Sequence, residues 1–454
     1  MGEGGMIDSI ASRVFKENNH FADIRYVENR FETVTITNGE LDQTTASEKG
    51  IFIRRLQNGL WYNTIINDLD KGKTVVTSHK AVTSKIRGDV NVVMSEPVRG
   101  RFILSDLDED GLVEDKISFM RSIESILHDI ADLKSYTIGY SNFNHRKRIV
   151  NNAGTDVYEQ SLKPEFSVNL IVKVGNKNYT LEDGVGITGS FTKSFREKIL
   201  GMCNNLVTRS HELKKAKLLR KKRGTVIVSP PVVGILLHEA IGHLAEADFV
   251  ISGSPLGELI GKKVTGDSVT VVDTPTSKFV DGAAGSIAVD DEGTMVSDAV
   301  IIDRGTVKHL MSDKQTAYKL NIPLTGNGRT ESYSSMPQVR MRNTIMYPGN
   351  VKLEEIIEET DDGYMIDVPM DGEADSNGFF QFTVGTIKHI IHGSIEEIGL
   401  PGSITGSIFD FLKNISYISS DFSYGIGSGW CIKAGDAVKV DGGGPYIRTE
   451  VNIG

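Results

Sequence analysis

GTVIVSPPVVGILLHEAIGHLAEA, residues 224–247, is the stretch on which the reading of the fold turns. Thr225-Val226-Ile227-Val228 reads as a strand. Ser229-Pro230-Pro231 is a stop-and-start signal, because proline suits the first turn of a helix and breaks its interior. A helix is therefore expected from Val232 to about Ala247, carrying His238, Glu239 and His243. Neutral imidazoles are good zinc ligands, and a carboxylate beside them can take the proton of a water held by the ion. In the familiar H-E-x-x-H helix the histidines are four apart and share a face. Here they are five apart, about 140° around an ideal α-helix. Both rings reach one ion only if the helix is distorted or ends between them. Gly242, just before His243, is the natural place for a π-bulge or an early unwinding. On spacing alone, a structural histidine pair stands beside the metal reading.

Outward from this stretch the texture differs on the two sides. Downstream the chain is rich in Gly, Thr and Val, with short strands and candidate turn pairs at Asp362-Gly363, Asp371-Gly372 and Asp441-Gly442. Upstream, helical spacing marks Ile7, Ile10, Ala11, Val14 and Phe15. Val34 to Thr37 alternates as a strand. Gly50 to Ile53, Asn58-Gly59 and Leu60 to Tyr62 form a hairpin with a primed turn. A helix is predicted from about Ile117 to Leu133, strands over 135–182, and a further helix through Phe195, Ile199, Cys203 and Leu206. The basic run from Lys214 to Arg223 reads as a solvated helix end and linker rather than a nucleic-acid patch, since no aromatic residues interleave it. The expected class is α+β. Residues 1–220 form an N-terminal α/β domain with helices on a mostly antiparallel sheet, and residues 221–454 a predominantly β domain carrying the metal-site helix.

With 454 residues the chain is long enough for two cores. Lys and Arg number 50 against 60 Asp and Glu, a formal net charge of −10. That balance argues against nucleic acid as the main partner, which needs a basic field. The two cysteines, Cys203 and Cys431, are too few for a stapled secreted scaffold and suggest a reducing compartment. The N-terminus lacks an apolar signal run, and no segment approaches the roughly 18 apolar residues of a spanning helix. A soluble, cytoplasmic protein without membrane partners is expected.

The motif His238-Glu239-Ala240-Ile241-Gly242-His243 is followed by Glu246 and Asp248-Phe249. Further on come Ser286 to Thr294, Thr325 to Arg329 with Glu331-Ser332-Tyr333, Arg340 to Thr344, and the glycine-rich segment through Cys431. In these residues the sequence resembles the TldD/PmbA family of metallopeptidases, in the TldD-like branch that keeps H-E-x-x-x-H. The resemblance is specific over about 225–454 and looser before it. It ends near Gly454, so no further domain is expected downstream. It implies a Zn²⁺ ion held by His238, His243 and Cys431, with Glu239 as general base. It also implies cleavage of short or unfolded peptides in a closed cavity of a dimer, formed with itself or with a metal-free TldE/PmbA-like sister.

Residue by residue, Cys431 lies in the glycine-rich loop from Gly425, where a thiolate would be a strong zinc ligand and a buried apolar thiol is the plain alternative. Cys203 sits on an apolar helix face and is expected in the core. Glu246 and Asp248 either orient the ligand imidazoles or cap and solvate the chain. Asp290, Asp291 and Glu292 resemble a hard-cation cluster, but their place before Gly293 favours a turn. Arg329 could hold a substrate carboxylate or a neighbouring strand. His389 and His392 are expected on the surface or a β-face. Two rivals to the zinc peptidase remain: a non-enzymatic regulatory or adaptor subunit, as the family's older description as gyrase modulators suggests, and a thiol peptidase using Cys431. Chelation spares the thiol enzyme and stops the zinc enzyme.

Overall fold

Strands β1 (Phe21–Thr37), β2 (Glu40–Gln57) and β3 (Leu60–Ile66) form an antiparallel meander. The structure is a computed structural model that describes residues 3–16, 20–67, 77–81, 90–107, 111–219 and 222–454. The β2–β3 turn is the expected primed one, with Asn58 at φ 49° and Gly59 at φ 70°. With β4 (Thr77–Ala81), β5 (Arg99–Ile103), β6 (Leu133–Asn151), β7 (Asp156–Val174) and β8 (Lys177–Gly186) the sheet runs β4-β3-β2-β1-β6-β7-β5, and β8 pairs with β7. The described pairings are antiparallel except for β5 with β7.

Alternation along these strands gives the sheet two different faces. On one face Ile138, Tyr140, Phe166 and Val168 pack under helices α2 (Val113–Leu127) and α3 (Lys193–Leu213), which contribute Met120, Ile123, Phe195, Ile199 and Leu206. Cys203 is buried there, as expected. Helix α1 (Glu3–Val14) covers Ile24, Tyr26 and Ile51 with Ile7. The opposite face carries Arg25, Arg54, Lys147, Glu159 and Lys163, all buried. Helix α2 stops at Leu127 rather than near 133. The N–H groups of Asp129, Ile130 and Leu133 bond only three residues back, and Asp132 takes φ 65°, so the chain tightens and turns into β6.

In the second half, β9 (Lys222–Val228) bonds both to Asp362–Ala374, in parallel, and to Asp441–Ile453, antiparallel. The ring closes through Gly402–Ser407 and Phe379–Ile391, giving a barrel from which Asn343–Met346, Val271–Thr274 and Ala299–Asp303 continue the sheet. Helix α4 (Pro230–Leu237) follows β9 directly and buries Val232, Val233, Leu236 and Leu237. Its prolines occupy the first two positions, where their missing N–H groups leave nothing unsatisfied. A Cβ on Gly234 would stand 2.7 Å from the carbonyl carbon of Gly442, so helix and strand touch backbone to backbone.

The Asp-Gly pairs expected as turns lie within strands instead. Gly442 is needed for the contact with Gly234, and the Asp441 carboxylate accepts N–H bonds from Gly442 (2.8 Å) and Ala284 (3.0 Å). Asp371-Gly372 adjoins a register shift between Pro369 and Gly372. The expected boundary after residue 220 falls on residues 220 and 221, outside the described residues. Within the basic run Lys214 pairs with Asp132 at 3.1 Å, Lys217 with Glu397 at 3.3 Å and Arg223 with Glu450 at 3.3 Å. Among the described residues no helix is long and apolar enough to cross a membrane.

Buried charge joins the halves. Arg54 pairs with Asp23 and with Glu292 at 3.0 Å. Lys147 meets Asp291 at 2.9 Å, and Lys163 donates to the carbonyls of Ala284 (2.9 Å) and Ser286 (2.8 Å). Asp290 Oδ1 accepts the N–H groups of Glu292 (3.0 Å) and Thr294 (2.8 Å), so the acidic cluster is a turn whose other two carboxylates, Asp291 and Glu292, key into the first sheet.

Candidate metal centre

The predicted single helix is broken where the site begins. After α4, residues His238–Gly242 form a π-turn and His243–Ala245 a 3₁₀ turn, and a short α-helix follows at Ala247–Ile251. The N–H of His243 bonds to the carbonyl of His238, the i→i+5 contact that stacks residues five apart on one side. Gly242 is helical there, with φ −57°, so its role is not conformational freedom. A Cβ on it would lie 1.9 Å from Met341 Sδ, and glycine is required for space. Beyond His243 the α-helical pattern is cut off because Ala245 and Ala247 bond to the backbone of Met311, each at 2.9 Å.

The rings of His238 and His243 stand edge to face, 5.3 Å between centroids. Cys431 arrives on a two-stranded hairpin, Trp430–Lys433 against Asp436–Lys439, rather than in the loop expected for it. One ligand atom each from His238, His243 and Cys431 lies within 4.8 Å of the others. Cys431 Sγ is 3.7 Å from His243 Nε2. A tetrahedral zinc with arms of about 2.3 Å to sulfur and 2.0–2.1 Å to nitrogen implies an S···N edge of about 3.6 Å, so the donor set fits such an ion. His238 is buried, and its Nδ1 has no hydrogen-bond partner among the described residues. Glu239 Oε2 is 3.7 Å from His243 Nε2, and its side chain is 29% exposed. Burial alone would push the Cys431 thiol up, but the charge of His238 and its hydrogen bonds with both imidazoles bring it down to about 4. Burial disfavours the charged form of His243, while Cys431 and Glu246 raise it to about 10.

Behind the three converging side chains lies a set of buried charges. Glu246, fully buried, meets His243 Nδ1 at 3.3 Å. Lys433 Nζ donates to Glu246 at 2.8 Å and to the carbonyl of Val339 at 2.9 Å, and pairs with Asp248 at 2.7 Å. Glu246 therefore orients the His243 imidazole, and Asp248 reaches the site through Lys433. Lys433 itself has no signal in the sequence. Arg340 braces the hairpin by donating to the carbonyls of Cys431 and, at 3.0 Å, Asp436. Arg329 holds strands, donating to the carbonyls of Met341 and, at 2.8 Å, Lys439. His389 and His392 pair with Asp362 (2.8 Å) and Asp361 (2.6 Å), away from the site. Glu239, His243, Phe249, Asp375, Ile432 and Lys433 border a cleft of about 470 Å³. A larger cavity of about 720 Å³, walled by α3 and residues 367–370, includes none of the three candidate ligands, so size does not mark the site.

Known proteins resemble the chain over nearly its whole length. Residues 221–454 match the PmbA/TldA metallopeptidase C-terminal domain and residues 109–209 its central domain. A zinc metalloprotease TldD homolog from Saccharolobus solfataricus is 30% identical, over 95% of each chain. A metalloprotease from Methanothermobacter thermautotrophicus is 28% identical over 98% of this chain and 96% of its own. The fold is shared with TldE from Thermococcus kodakarensis (TM-score 0.78, 16% identity, 98% and 99% covered). It is also shared with a Thermotoga maritima protein described as a modulator of DNA gyrase (TM-score 0.77, 18% identity, 99% of each chain). The chain belongs to the PmbA/TldD metallopeptidase family.

Proposed function

We propose that the chain is a zinc-dependent peptidase, with Zn²⁺ held by His238, His243 and Cys431 and with Glu239 as general base. The observation that carries the reading is the convergence of those three donors within 4.8 Å across nearly two hundred residues of sequence. When bound, zinc would polarise the scissile carbonyl and make a water acidic enough to attack at neutral pH. Glu239, beside His243 and open to the cleft, takes the water's proton and returns it to the leaving amine. His238 and Cys431 are buried, which keeps bulk water from competing for the ion. The substrates are short or unfolded peptides, held mainly through backbone as an added strand, which reads little side-chain sequence. The working form is a cytoplasmic dimer, with itself or with a metal-free sister subunit.

A second reading makes Cys431 the nucleophile. Its favouring observation is the Cys431 sulfur 3.7 Å from His243 Nε2, a neighbour that favours the thiolate. One experiment separates the two, and the adaptor reading with them: zinc content and peptide hydrolysis measured before and after chelation. Stoichiometric zinc, with activity lost on chelation and restored by zinc, supports the proposal. Activity that survives complete removal of metal makes it a thiol enzyme. No zinc and no activity leaves an adaptor.

A further inference from the structure

Cys431 rides on a hairpin of two short strands that joins neither large sheet. An isolated two-stranded hairpin is marginal in water, yet a zinc ligand must be held to a few tenths of an ångström to be preorganised. Its turn, Ala434-Gly435, has φ 51° and 87°, and Ala434 borders the same cleft as Glu239 and His243. At the end of the first strand, two residues after Cys431, stands Lys433.

We propose that Lys433 is a positioning residue that locks the thiol arm of the metal centre to its imidazole arm. The clamp rests on the zinc reading above. Lys433 Nζ reaches Glu246 at 2.8 Å, and the same carboxylate oxygen lies 3.3 Å from His243 Nδ1. With an ion in place, Nδ1–H donating to Glu246 would leave Nε2, the nitrogen facing Cys431, as the one that binds it. The path from Cys431 along the hairpin to Lys433, through Glu246 to His243 and back to the sulfur is a closed loop. An ammonium has three donors, and all three are engaged, by Glu246, by Asp248 (2.7 Å) and by the carbonyl of Val339 (2.9 Å). Phe249 covers the head, its ring centre 4.6 Å away. Lys433 borders the cleft but has no donor left for a substrate carboxylate. Its role is to hold ligands.

The test is zinc affinity of the full-length chain by competition with a chelator, for wild type, Lys433→Met, Lys433→Arg, Glu246→Gln and the double variant Lys433→Met/Glu246→Gln. Cobalt(II) absorption reports whether sulfur remains coordinated. Lys433→Met and Glu246→Gln should each weaken zinc by about 10–100-fold, the usual effect of losing a partner of a metal ligand. The double variant should be little worse than either single one, and Lys433→Arg should recover part of the loss. The thiolate-to-cobalt band should weaken in Lys433→Met. If Lys433→Met does not fold, Glu246→Gln reads the same contact from its other side. Wild-type affinity and an intact band in both single variants overturn the clamp while leaving the zinc reading standing. A wild-type chain that takes up no zinc overturns both.

Discussion

The carboxylate of Glu239 lies 3.7 Å from His243 Nε2 and borders the same cleft, within reach of a water that the proposed mechanism would have it deprotonate. Glu239→Gln should keep zinc at the wild-type stoichiometry and lower peptide hydrolysis by about 10²–10⁴-fold, the range for removing a general base. Metal analysis alongside a peptidase assay checks it, and undiminished hydrolysis removes Glu239 from the mechanism. Cys431→Ser replaces the soft ligand and should weaken zinc strongly while leaving the metal-free fold intact by circular dichroism. At this scale His238, Glu239 and His243 were legible because chemistry and spacing lie within six consecutive residues. Cys431 was named through family resemblance, with its glycine-rich surroundings and the scarcity of thiols as the only local support, since nothing local says where a distant thiol lands. Lys433 was not legible at all: its contact with Glu246 spans 187 residues, and a lysine next to a turn reads as solvated. Arg329 was undecided in sequence because a carbonyl-binding and a carboxylate-binding arginine look alike.

The segment carrying His238 and His243 was expected as one helix over 232–247 and is instead α, π, 3₁₀ and α in turn. The distortion at Gly242 could be foreseen from the five-residue spacing, but its physical basis could not. Packing against Met341, rather than backbone freedom, requires the missing side chain. Gly242→Ala should therefore destabilise the protein by about 1–3 kcal/mol through overpacking, read in chemical denaturation, and lower zinc affinity as the π-turn shifts. Trimming the neighbour in Gly242→Ala/Met341→Ala should recover part of the zinc affinity, and a Gly242→Ala protein with unchanged stability and affinity contradicts this account. The misread Asp-Gly pairs teach the same lesson. Asp441-Gly442 has turn composition, yet a helix backbone packed against Gly442 holds the pair in a strand. Local propensity could not register that contact.

Across the whole molecule, α+β character and the β-rich second half followed from periodicity, whereas barrel closure depends on β9 pairing with strands more than a hundred residues away. The buried charges between the halves were also hidden, since lysines and arginines alternating on a strand read as a solvated face. Lys147→Met should leave Asp291 buried without its lysine and destabilise the chain by about 3–5 kcal/mol. Burial opposes ionisation of Asp291, but Lys147 and Arg25 hold it well below the usual carboxylate range. The folded chain then binds fewer protons than the unfolded one, so this stabilisation is complete above about pH 4 and is lost as acid is added. Thermal unfolding across pH should show that fall in wild type and a shallower one in Lys147→Met; parallel curves contradict it. The convergence of His238, His243 and Cys431 is likewise a property of the folded whole. Zinc K-edge X-ray absorption on the purified protein tests it most directly. The account predicts one sulfur at about 2.3 Å and lighter nitrogen or oxygen neighbours at about 2.0–2.1 Å. A zinc shell without sulfur would contradict it.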